Sequence, residues 1–196
     1  MRQLTFSLLA LAAVLSLPAC ATGGTTAQPV ATAAGDRLPN ATVAHVDLQR
    51  YAGKWYEQAS LPMTFTKDCV GDTTALYTPQ PDGTIAVRNR CRTADGSFKQ
   101  VDGEARQAGD TTAQLEVRFA PGWLSWVPMV WGDYWVIDLD KDYRWAMVGT
   151  PKQDYLWILS RTPQLDPDIY ARLVEKARRM GYPVSRLERT PQSGQQ

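Results

Sequence analysis

The feature that most constrains this chain is a succession of strand-like segments, broken by short turn signals, across residues 54–161. Residues 54–60 open the series, and residues 73–78 lead into Gln80-Pro81-Asp82-Gly83. Residues 84–92 lead into Ala94-Asp95-Gly96, and residues 98–107 into Gly109-Asp110. Residues 113–119, 133–139, 144–150 and 155–160 complete it, with Asp140-Lys141-Asp142 and Pro151-Lys152-Gln153-Asp154 as the last turns. Short runs rich in β-branched and aromatic side chains, separated by Gly, Pro, Asn and Asp, read as antiparallel strands joined by hairpins. Eight such strands in up-and-down order can close into a barrel, which removes every exposed edge. Alternation is clearest in Leu115-Glu116-Val117-Arg118-Phe119, where apolar side chains share one face and charges the other. The expected fold class is therefore all-β, an eight-stranded antiparallel up-and-down β-barrel.

A helix should follow the eighth strand. Asp166 can cap it, Pro167 suits the first helical position, and Gly181 with Pro183 stops it. Ile169, Leu173, Ala177 and Met180 fall on one stripe, so this C-terminal helix should pack on the outside of the barrel. A short last strand is expected at residues 184–187.

Charge and residue counts exclude several kinds of chemistry. Lys and Arg total 21 against 20 Asp and Glu, without the basic excess that phosphate contacts require, so nucleic acid is not an expected partner. One His, His45, and three Cys exclude a multi-histidine metal site and leave a Ser-His-Asp triad a single possible imidazole. No metal and no cofactor is expected.

The ends do not read as part of the fold. A short basic start, an apolar stretch over residues 4–17 and small residues before Cys20 form the pattern of a secretory signal. Residues 21–42 are Ala, Thr, Gly, Gln and Pro with few large apolar side chains, and should form a flexible tether. Residues 192–196 should be a disordered tail, which leaves residues 43–191 as one domain. Without the signal, which carries Arg2, basic and acidic side chains balance.

Two resemblances add to this reading. Leu17-Pro18-Ala19-Cys20 resembles a bacterial lipobox, which implies acylation of Cys20 by palmitate-like chains after cleavage; an ordinary secretory peptide is the alternative. Ala21 after the Cys implies the outer membrane, on its periplasmic face. Gly53-Lys54-Trp55-Tyr56-Glu57, followed by eight strands and a helix, resembles a lipocalin, whose first motif is Gly-x-Trp at the start of the first strand. The third motif, an Arg at the end of the last barrel strand, is matched by Arg161. A guanidinium there can cross the Trp55 ring at the closed end of the barrel, a cation–π contact of about 0.5 to 2 kcal/mol. The second motif is only approximated, by Asp140-Lys141-Asp142-Tyr143. That departure resembles the bacterial outer-membrane lipoprotein branch of the family, the Blc type. Gly53, Trp55 and Arg161 are then residues that hold the fold.

With Arg161 at the closed end, alternation places Leu159, Trp157 and Tyr155 inside. Anchored on family geometry, the inward set also includes Glu57, Ala59, Ala75, Tyr77, Val87, Asn89, Val101, Leu115, Val117, Phe119, Tyr134, Val136, Ala146 and Val148. Mixed small and aromatic residues leave space for a ligand, against a filled barrel as the alternative. Glu57, Asn89, Tyr77 and Tyr134 add a few polar groups to an apolar calyx, a composition that suits an amphiphile. Trp123, Trp126 and Trp131, with Leu124 and Met129, fall in the connection after the fifth strand, at the open end. They are expected to fold over the mouth or rest against lipid, against a self-packed loop.

Cys69 and Cys91 flank the turn at Gln80 to Gly83 at nearly equal distance and should pair in an oxidising compartment. Closing that loop of about 23 residues would contribute about 3 kcal/mol in the chain-entropy model. The function expected is a membrane-anchored lipocalin, not an enzyme, that binds and stores or transports a fatty acid or lysophospholipid. The alternative is an enzyme or tetrapyrrole binder using the same calyx. Catalysis would need a free thiol, and haem an axial ligand; His45, before the barrel near its closed end, is poorly placed to be one.

Overall fold

A computed structural model of the chain describes residues 37–120, 127 and 130–194. Cys20, the expected signal, most of the expected tether, Trp123 and Trp126 lie outside the described residues. A single helical turn, α1 (Leu48–Tyr51), precedes eight strands in sequence order: β1 (Gly53–Ser60), β2 (Cys69–Pro79), β3 (Ile85–Thr93), β4 (Phe98–Gln107), β5 (Gln114–Arg118), β6 (Gly132–Leu139), β7 (Trp145–Gly149) and β8 (Leu156–Ser160). Each strand pairs antiparallel with the next, and β8 returns to pair with β1, so the sheet closes on itself. The hairpins have local causes. The Asp82 carboxylate accepts from the Thr84 N–H, and that of Asp95 from the Ser97 N–H, side-chain turns that reverse the chain after β2 and β3.

Alternation sorts the apolar residues into two cores. Inside the barrel pack Trp55, Tyr77, Val87, Leu115, Tyr134, Val136, Ala146, Val148 and Leu159. Outside, Ile137, Trp145, Met147, Leu156 and Ile158 meet α2 (Pro167–Arg179) through Leu173, Ala177 and Met180. The helix starts where its cap predicts: the Asp166 carboxylate accepts from the N–H groups of Asp168 and Ile169. Both Trp145 and the partly buried Trp135 lie on this helix side.

The register shifts in the β2–β3 and β6–β7 pairs as well as in β1, but the shift in β1 bears on the expected inward set. The β1–β8 register shifts between Glu57 and Ala59: Glu57 pairs with the inward Leu159, but Ala59 pairs with the outward Ile158. Directly paired residues share a face. Ala59, expected inside, is therefore outside, because an extra residue in β1 reverses parity beyond it. Gln58, the extra residue, faces the segment after β8. Its amide donates to Thr162 O and Pro163 O, and its Oε1 accepts from the Leu165 N–H.

Three terminal expectations are corrected. Residues 37–42 do not continue a free tether: the Leu38 N–H donates to Arg179 O at 2.8 Å, and Asn40 Nδ2 to Thr150 O at 2.9 Å. The strand expected at residues 184–187 is a 3-10 turn at Val184–Arg186, and the ninth strand, β9 (Glu188–Arg189), follows it along β1. Gln192 and Ser193 are not a disordered tail, being hydrogen bonded into the barrel wall. At Asn40 and Gln192 a polar side chain satisfies backbone carbonyls far away in sequence.

Candidate functional site

The closed end is built around Trp55 and Arg161. The Arg161 guanidinium lies 3.8 Å from the Trp55 ring centre and donates to the carbonyls of Tyr143, Lys54, Arg50 and Tyr51. Trp55 Nε1 donates to Tyr51 O at 2.8 Å, so helix α1 is tied across the bottom. Gly53 has φ +92, and a Cβ there would meet the Arg161 guanidinium at 3.4 Å.

Above this plug the Tyr134 hydroxyl bonds those of both Tyr51 and Tyr77, each at 2.9 Å. Burial pushes the Tyr77 phenol up to about 12, against the bond from Tyr134, and raises Tyr51 and Tyr134 well above their ordinary value. These hydroxyls stay protonated at any physiological pH and form a buried polar floor. Rings continue upward from it: Tyr134 stacks on Trp157 at 6.4 Å and Trp157 on Tyr155 at 5.9 Å.

The upper half of the cup is more open. Ala75, Asn89 and Val101 form one row across β2, β3 and β4, and Val101 remains 42% exposed although it faces inward. Phe119 packs against the interior, its ring over Gly103, where a Cβ would approach it to 2.5 Å. Asn89 Oδ1 is buried without a hydrogen-bond partner among the described residues. Glu57 accepts from Ser60 Oγ and Thr190 Oγ1, yet burial still raises its carboxyl above the ordinary range.

Thr190 introduces an element that strand parity did not reveal. β1 and β2 pair only from Gly53 with Tyr77 to Tyr56 with Thr74. Beyond that they part, and the C-terminal segment enters the gap. β9 pairs with Ala59 and Ser60, and the Asp72 N–H donates to Pro191 O. The Gln192 amide spans the carbonyls of Glu57 and Thr73. Asp72 accepts from the Ser193 N–H and hydroxyl and from Arg92; burial alone would raise its carboxyl, but these partners hold it below the ordinary range. This strap walls a pocket of about 240 Å³.

Comparison with known proteins accounts for the architecture. The lipocalin-like domain family model matches residues 46–192, most of the chain. The chain belongs to the lipocalin family. It is 45% identical to temperature-induced lipocalin-1 of Arabidopsis thaliana over 151 residues, covering 76% of this chain and 80% of that one. It is 36% identical to the outer membrane lipoprotein Blc of Escherichia coli K12 over 154 residues, covering 78% and 82%. Among solved structures, insecticyanin of Manduca sexta superposes with a TM-score of 0.60 at 19% identity, covering 79% and 85%. Lobster apocrustacyanin A1 does so at 0.58 and 12%, covering 75% and 80%.

This lipocalin departs from the sequence expectation at its mouth. Trp131 does not cover the opening; its ring lies 4.0 Å from the Arg106 guanidinium and 5.1 Å from that of Arg118. Arg106 pairs with Glu116 and Arg118 with Glu104 across the outer faces of β4 and β5, so Trp131 is held against the outside of the wall by two cations. Its neighbour in sequence is Gly132, the start of β6, which leaves it little reach. Cys69 and Cys91 are bridged, with Cα atoms 5.6 Å apart, so neither supplies a free thiol. His45 is exposed and contacts Thr112 Oγ1 through Nδ1, away from the cup interior. Sequence reasoning missed Tyr51, whose position in a one-turn helix carries no periodic signal, and the strap, which has only Ser, Thr, Gln and Pro to show.

Proposed function

We propose that this lipocalin is an envelope-anchored binding protein that takes a hydrophobic or amphiphilic molecule into its cup, to store or carry it. The inner surface carries the reading: an aromatic floor and apolar walls, with Glu57 and the unpartnered Asn89 Oδ1 as the polar groups of the upper half. Burying an acyl chain against Ala75, Val117, Phe119 and Trp157 drives binding at about 25 cal/mol per Å², and the few polar groups orient the head. A fatty acid or a lysophospholipid has the required shape. Val87, Val136 and Tyr155 serve as wall and rim. No step in this process is covalent.

Anchoring at the periplasmic face of the bacterial outer membrane, through acylated Cys20, is supported by the lipobox-like Leu17 to Cys20 and by the 36% identity to the outer membrane lipoprotein Blc. The Blc branch rests on the same two observations. Trp123 and Trp126 are proposed to meet lipid or cover the mouth.

Native mass spectrometry of protein purified from its own membrane, followed by lysophospholipid titration, tests the carrier. A co-purifying lipid and saturable uptake are expected; neither appearing would reject it. Replacing Cys20 with Ala should move the protein to the soluble fraction, and retention in the membrane would reject the anchor.

A further inference from the structure

The gap between β1 and β2, walled by the C-terminal strap, holds a pocket of about 240 Å³ lined by Glu57, Ser60, Cys69, Thr73, Glu188 and Thr190, among others. We propose that this side pocket is the head-group subsite of the cup and that it takes an ammonium group, with Glu57 as its counter-charge. The inference rests on the carrier reading and narrows it to single-chain amphiphiles with a cationic head.

Size argues first. At about 240 Å³ the pocket has room for a compact polar head. Position argues next. Glu57 pairs with Leu159 and Ser60 with Trp157, both inward members of β8, so the pocket shares its wall with the aromatic interior that would hold the chain.

Charge decides the class. Among the described residues, Glu57 receives bonds from two neutral hydroxyls, those of Ser60 and Thr190. No lysine is among the described lining residues, and the one arginine, Arg189, has its guanidinium 3.9 Å over the Tyr170 ring of α2. Nearby cations are committed elsewhere: Arg92 to Asp72 at 2.7 Å and Lys99 to Asp68 at 2.9 Å, while Lys67 is exposed in the loop before β2. Glu57 is half-buried, and a carboxylate drawn out of water without a counter-ion is costly, a cost that a ligand cation removes. A fatty-acid carboxylate would add a third acidic group beside Glu57 and Glu188.

Isothermal titration calorimetry of the mature protein with dodecyltrimethylammonium, dodecanoate and monododecanoylglycerol, each below its micelle concentration, tests the subsite. The cation should bind roughly tenfold tighter than dodecanoate, a difference of about 1.4 kcal/mol. Glu57→Gln should abolish that preference while leaving the melting temperature unchanged or higher. Glu175→Gln, which removes an exposed carboxylate of α2 outside the pocket, should retain the preference and serves as the folded control. Equal binding of all three, or a preference that survives Glu57→Gln, overturns the head-group assignment alone. Binding of none overturns the carrier reading with it.

Discussion

Arg161 donates to four backbone carbonyls contributed by α1, β1 and the turn between β6 and β7, and covers Trp55 as it does so. Replacing it with Met would keep part of the ring contact and orphan those carbonyls, a loss of about 3 kcal/mol. Chemical denaturation of Arg161→Met measures this, and a loss under about 1 kcal/mol would show the plug to be dispensable. The tyrosine floor makes a different prediction. Burial raises Tyr51, Tyr77 and Tyr134 above their unfolded value of 10.0, Tyr77 to about 12, and the neighbouring phenols add to the rise at Tyr51 and Tyr134. A folded pKa above the unfolded one means that stability is whole below pH about 10 and is lost as pH rises toward 12. The urea midpoint should be flat to pH 9 and fall above about 10, with phenolate absorbance from these three appearing only on unfolding. Native-state titration of all three near pH 10 would contradict the hydrogen-bonded floor.

Among the elements, the strap is the one whose removal is most informative. Residues 190–193 supply the hydrogen bonds that β1 and β2 cannot give each other above Tyr56 and Thr74. Ending the chain after Arg189 should cost about 2 to 4 kcal/mol and speed amide exchange at Asp72, whose N–H is held by Pro191 O. Unchanged protection at Asp72 would show that the gap closes without the strap. Helix α2 contrasts with it in legibility. Asp166, Pro167 and the stripe through Leu173 and Ala177 announce the helix locally, and the structure places both apolar residues fully buried. Leu173→Ala should therefore lose about 2 to 5 kcal/mol in a melt.

At the scale of the whole molecule, the closed bottom and the open upper cup divide the barrel into a part that holds itself together and a part left for a guest. A guest that binds only the folded state at about a hundredfold its Kd adds about 2.7 kcal/mol. Lysophospholipid at that excess should raise the melting temperature by several degrees, and no shift would count against occupation of the cup.

What was legible in the sequence was whatever short-range chemistry decides. Turn residues marked the hairpins and period-two alternation sorted the wall of β5, while the resemblance to a lipocalin marked Trp55 and Arg161 as the two ends of a bottom contact. The cysteines lay symmetrically about one turn, and the bridge forms. Parity arguments hold only while a strand keeps its register, so the extra residue at Gln58 put Ala59 on the wrong face. Trp131 was read from its loop position, but two arginines on neighbouring strands decide where its ring lies. The sequence by itself determined the strand order and the terminal helix, and the family resemblance the closed end. Only the tertiary structure decided where β1 and β2 part and that a polar tail fills the gap, because those backbone groups find their partners more than a hundred residues away.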